Sequence, residues 1–229
     1  MGSSLKRIRL VASMPYVPFS VVLAFLLLVL FFLIKIQIIT YAFEKIGIQH
    51  QSLFFLLFLS LLGSYVNIPL WQIPPLIPSW LVRYSRFGTW SAPLPLTIQT
   101  TIAVNLGGAI IPSFISLRLM SKTPSPGKAT LATLIVALII QAIARPVPGV
   151  GIVVPALFPP LCAALISLLI EGQATPQTAY IAGSIGTLIG ADLVNLPKLA
   201  YLGLPVASIG GAGTFDGIFL TGLIAALLA

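Results

Sequence analysis

From Val17 to Ile34 the chain carries no charged residue, and apolar runs of similar length recur as far as Ala229. A helix rising 1.5 Å per residue needs about 20 such residues to cross the hydrocarbon core of a bilayer. Seven segments approach that length: 17–41, 52–70, 97–119, 128–144, 151–170, 177–196 and 208–229. The fourth and fifth are short, with Arg145, Pro146 and Pro148 between them, and read equally well as a re-entrant pair. The fold class expected is therefore all-α, a polytopic transmembrane helix bundle of six or seven spans. It forms a single membrane domain over 1–229, with halves at 17–119 and 128–229.

Only 7% of the residues are charged and the mean hydropathy is +1.10, whereas roughly 25% are charged in soluble domains. The net charge of +8 does not point to nucleic acid, because the Lys and Arg residues stand at the ends of apolar segments. There they set topology and snorkel to the headgroups. Lys6, Arg7 and Arg9 precede the first run, which is longer than a signal core and has no small-residue cleavage site after it. It reads as a retained span with a cytoplasmic N-terminus. Arg118, Lys122 and Lys128 run against that orientation. A lone cysteine, Cys162, excludes an internal disulfide.

The connection 71–96 holds Trp71, Trp80 and Trp90 together with Arg83 and Arg86, a composition that favours the headgroup layer. Pro124 to Gly127 reads as an exposed turn between the halves. The halves echo each other. Gly63-Ser-Tyr-Val-Asn-Ile-Pro69 resembles Gly190-Ala-Asp-Leu-Val-Asn-Leu-Pro197, and Asn105-Leu-Gly-Gly-Ala109 resembles Ser208-Ile-Gly-Gly-Ala212. The matches suit either a degenerate internal repeat or chance similarity in low-complexity membrane sequence. Paired helix breaks at matching places mark the central site of many transporters.

Asp192 and Asp216 are two of only four acidic residues, and they lie in the most apolar, glycine-rich third of the chain. An ionisable group at membrane depth costs about 2.5–3.5 kcal/mol, so its retention points to use. The two flank a turn around Pro197 to Pro205, which places them at comparable depth on consecutive helices. Two carboxyl groups brought together share a proton and divide acid and base roles. Gly190, Gly210, Gly211 and Gly213 thin the neighbouring helix faces for substrate or for tight packing. Thr214 is placed to cap a helix that holds Asp216 in its first turn. A loop ion pair of Asp192 with Lys198, six residues on, is the structural alternative. Asn67, Asn105 and Asn195 are read as structural, bonding between helices. No metal-ligand set, nucleotide loop or cofactor signature is present.

The strings GSYVNIPL, IGADLVNL and ASIGGAGTFDGIFLTG resemble an uncharacterised prokaryotic membrane-protein family, domain-of-unknown-function family 1614. That likeness implies residence in a prokaryotic cytoplasmic membrane and no established activity. Asp192, Gly211-Ala-Gly213 and Asp216 also resemble the diaspartyl centre of presenilin-type and prepilin-peptidase intramembrane proteases, although Thr214 and Phe215 separate the last glycine from its aspartate. Pro155-Ala156-Leu157 is similar to the Pro-Ala-Leu element of presenilins and adds three candidate substrate-binding residues. The resemblance implies proteolysis of a membrane-protein substrate. A proton- or cation-coupled transporter of a small ion or molecule, using the same aspartates, is the alternative, and a non-enzymatic membrane scaffold is the third.

Overall fold

Proline, asparagine and glycine cut four of the seven apolar runs into a strand and a helix too short to span. A computed structural model of the chain describes residues 19–48, 50–74, 99–173, 175–211 and 217–229. The chain falls into two compact units, 1–38 and 39–229. The described part of the first is the helical stretch from residue 19 to residue 38, in which the Lys35 ammonium stands 5.2 Å from the Phe31 ring centroid. That stretch belongs to α1 (Phe19–Lys45), whose last turns open the second unit.

In the second unit α2 (His50–Gly63) ends at the first Val-Asn-x-Pro string, and Asn67 begins β1 (Asn67–Ile73). Strand β2 (Thr100–Asn105) leads into a π-helical turn, Leu106–Ile110, which continues as α3 (Ile111–Met120). Then come α4 (Pro126–Ile143), the hairpin of β3 (Arg145–Val147) and β4 (Gly151–Val153), α5 (Phe158–Glu171) and α6 (Pro176–Thr187). A second π-helical segment, Leu188–Leu193, prolongs α6 into a 3-10 turn at Leu196–Tyr201, β5 (Val206–Ile209) and α7 (Gly217–Leu228).

This overturns the all-helical bundle of six or seven spans. The segment 97–119 is a strand, a π-turn and a ten-residue helix. Segments 52–70, 151–170 and 208–229 likewise each divide between a strand and a helix of 12 to 14 residues. Helices of 10 to 14 residues reach about 15–21 Å, well short of a core of about 30 Å. The physical cause is local. Each strand lies where a proline, glycine or β-branched cluster opposes a helical turn, as in Gly151-Ile-Val-Val-Pro155. Among the described residues one helix, α4, is long and apolar enough to cross a membrane. Most of the Val17 to Ile34 run stands outside the residues whose side chains are described.

Strand β2 is central in a three-stranded sheet, antiparallel to β1 and parallel to β5. Ala103 pairs with Ser208, so the two Gly-Gly strings leave adjacent strands two residues out of step with their sequence match. Helices α4 to α7 pack through Ala132, Val136, Ala163, Ala179, Ala182 and Ala225. Small residues there let backbones approach closely. A Cβ on Gly186 would come within 2.8 Å of Val136, and one on Gly190 would collide with the Ala137 carbonyl.

Candidate functional site around Asp192

Asp192 is carried by the π-helical segment Leu188–Leu193. There the Val194 N–H reaches back five residues to the Ile189 carbonyl. Wider turns of this kind appear mostly as bulges in helices, frequently at functional sites, and bring residues five apart onto one face. Thr187 and Asp192 are five apart and line one cleft.

The chain returns to Asp192 from β5. The Gly210 N–H donates to Asp192 Oδ2 at 2.7 Å. Gly210 (φ +88°) and Gly211 (φ +91°) both lie in the left-handed region that favours glycine. A Cβ on Gly210 would also stand 2.6 Å from the Ala109 nitrogen, so the end of β5 rests on the first π-turn. Burial pushes the Asp192 carboxyl up to about 6 from its ordinary 3.8, and the Gly210 N–H pulls partly the other way. Lys198 does not pair with it. Its ammonium donates to Asn195 Oδ1 at 2.6 Å.

Two clefts meet at this carboxyl. One, of about 140 Å³, lies between β4 and β5 and is lined by Gly151, Ile152, Ala207 and Ser208 among others. The other, of about 300 Å³, is walled by Val154, Ala156, Leu157, Thr187, Gly217 and Thr221 among others. Asp192, Ile152 and Gly211 line both. Among the described residues β4 pairs only with β3 and β5 only with β2, so the first cleft lies between two sheet edges. Edge strands present unpaired N–H and C=O groups on which another chain can pair.

Of the candidates named from sequence, Asp192, Gly211, Ala156 and Leu157 come together along one cleft, with Gly210 bonded to the carboxylate and Pro155 exposed beside it. Gly190 lies elsewhere, buried against α4. Asp216 and Gly213 lie outside the described residues, as do Thr214 and most of the 71–96 connection. Thr187 was not among the candidates. Its hydroxyl is buried without a hydrogen-bond partner among the described residues, and the π-turn, which no residue pattern announces, sets it five residues from Asp192 on the same cleft.

The asparagines divide. Asn105 caps the first π-turn, accepting the Gly108 N–H at 2.8 Å, and donates to the Ser64 carbonyl at 2.6 Å and to Asn67 Oδ1 at 3.0 Å. Ser208 Oγ donates to the same Asn67 oxygen at 2.5 Å, tying β1, β2 and β5 together. Asn195 bonds locally instead, to the Gly190 and Ala191 carbonyls at 3.0 and 2.8 Å.

The molecule is thus a helix-rich protein with a small mixed sheet and one carboxyl set where two clefts join. Residues 61–228 match the model of the family described as "Protein of unknown function (DUF1614)", and the chain belongs to that family, as its sequence strings led one to expect. No curated protein and no solved structure matches it.

Proposed function

We propose that this is a membrane-bound aspartyl hydrolase that cleaves an extended peptide at Asp192, with Asp216 as the second carboxyl group. The observation that carries this reading is the position of Asp192 where a slot between two sheet edges meets a second cleft lined by Ala156, Leu157 and Gly211. An extended segment entering the slot can pair with β4 or β5. A carboxyl raised to about 6 is shared between its protonated and ionised forms at mildly acidic pH, so it can both hold and give up a proton there. In the step proposed, one carboxylate takes a proton from water as the water oxygen bonds to the scissile carbonyl carbon. The other carboxyl group protonates the carbonyl oxygen. The carbon–nitrogen bond then breaks as the nitrogen receives a proton and the second oxygen loses one.

Membrane residence is part of the proposal, in the cytoplasmic membrane of a prokaryote with a cytoplasmic N-terminus. It is supported by α4 and by the apolar outer faces of α4 and α5, where Leu134, Leu138, Leu165 and Leu169 are exposed. Contiguous exposed apolar surface marks contact with lipid or protein. The test is incubation of the purified protein with a library of membrane-spanning peptides and mass spectrometry of the products. Cleavage by wild type that Asp192→Asn abolishes supports the reading, and intact peptides throughout oppose it.

The junction of two clefts at one protonatable group favours a second reading, a proton relay in a transporter. It requires aspartate-dependent proton flux in proteoliposomes without peptide cleavage.

A further inference from the structure

Away from Asp192, a cavity of about 170 Å³ opens between the turn after α1 and helix α3. Ile48, Leu56, Phe114 and Leu119 give it apolar walls, while Arg118 and Lys122 bring two positive charges to it. Arg118 stands in the last turn of α3 and Lys122 two residues past its end, and both line this one cavity. Carbonyls at the end of α3 face Arg118 in its last turn and Lys122 just beyond it. Among the described residues no carboxylate lies within 4.0 Å of either, whereas nearby Lys128 has Glu171 at 3.6 Å. Beside the cations, Phe114 and Leu117 are 61% and 71% exposed on the outer face of α3. A cation pair with no described carboxylate in reach, a pocket with apolar walls on one side and an exposed apolar helix face fit one kind of molecule, an amphiphile with an anionic head.

We propose that this pocket binds an anionic phospholipid, its phosphate between Arg118 and Lys122 and an acyl chain along Phe114 and Leu117. Lys and Arg near a membrane surface attract anionic headgroups, and two cations near a lipid phosphate are worth about tenfold or more in preference. The proposal rests on the membrane placement proposed above and is independent of Asp192 and of any hydrolysis.

The test begins by fractionating cells that express the full chain. Recovery in the soluble fraction would overturn the membrane placement, and this site with it. Protein extracted from the membrane fraction is then examined by native mass spectrometry in detergent with phosphatidylglycerol, phosphatidylcholine or inorganic phosphate. We expect one phosphatidylglycerol retained with about tenfold preference over phosphatidylcholine. That preference should be lost in the double variant Arg118→Gln, Lys122→Gln and kept in the charge-preserving exchange Arg118→Lys, Lys122→Arg. Both side chains are exposed, so the variants should keep the wild-type elution volume and thermal midpoint. Should the double variant fail to fold, Lys122→Gln alone should still weaken the preference severalfold. Equal retention of the two lipids, or a preference that survives the glutamine variants, would overturn the site. Displacement of the lipid by millimolar inorganic phosphate would overturn the role given to the acyl chain.

Discussion

The Gly210 N–H donates to the Asp192 carboxylate at 2.7 Å across eighteen residues of chain, joining the π-helical end of α6 to the glycine turn that leaves β5. This bond fixes the carboxyl where the two clefts meet, and its energetics are open to measurement.

A carboxyl whose folded-state value stands at about 6, against an ordinary 3.8, favours the folded state while it is protonated. That contribution is complete below pH 3.8 and is lost as pH rises through about 6. At about 1.4 kcal/mol per unit the loss is on the order of 3 kcal/mol. Thermal midpoints in detergent at pH 4 and pH 8 should therefore differ more for wild type than for Asp192→Asn, which has no charge to bury. Equal pH dependence in the two proteins would contradict the burial of this group.

Gly210→Ala should be severely destabilising. The left-handed φ of +88° costs a side chain about 1–2 kcal/mol, and the clash with Ala109 adds roughly 1–3 kcal/mol. A thermal midpoint within a degree or two of wild type would show that β5 does not rest on the first π-turn.

The Asn67, Asn105 and Ser208 side chains should act as one unit. Asn105 is buried, and its truncation to Ala leaves the Ser64 carbonyl and the Gly108 N–H without their partner, at a cost of about 2–4 kcal/mol. A double-mutant cycle of Asn105→Ala with Ser208→Ala, both bonded to Asn67, should give a coupling of at least about 0.5 kcal/mol. Strict additivity would count against the shared network.

Two glycines on facing helices should respond with opposite sign. Gly127, in the first turn of α4, has no atom of the described residues within 4 Å of an added Cβ, so Gly127→Ala should be neutral or stabilising by about 0.5–1 kcal/mol. Gly186→Ala meets Val136 at 2.8 Å and should cost about 1–3 kcal/mol. Chemical denaturation of the two variants separates the cases.

Part of the candidate cleft was legible in the sequence, while Gly190 lies away from it and Asp216 and Gly213 lie outside the described residues. Asp192 stood out because a carboxyl is rare in such apolar surroundings, and Ala156, Leu157 and Gly211 followed from short strings that the fold gathers near it. The spans misled because hydropathy counts apolar residues without regard to backbone. Asn105-Leu-Gly-Gly-Ala109 is apolar enough for a membrane helix, yet Asn105 ends a strand there and caps a π-turn. The parallel pairing of β2 with β5 joins residues about a hundred positions apart, and no local pattern encodes it. Thr187 stayed hidden for a related reason. Its alignment with Asp192 depends on a helix widening that the residues Leu188 to Leu193 do not advertise.

The most direct test of the account is the rate at which wild type, Asp192→Asn and Asp216→Asn cleave one membrane-spanning peptide in proteoliposomes at pH 6. Loss of one acid–base partner should lower kcat/KM by about 10²–10⁴-fold in each variant while the elution volume and helix content stay unchanged. Cleavage by Asp192→Asn at the wild-type rate would contradict the assignment of Asp192 as the working carboxyl.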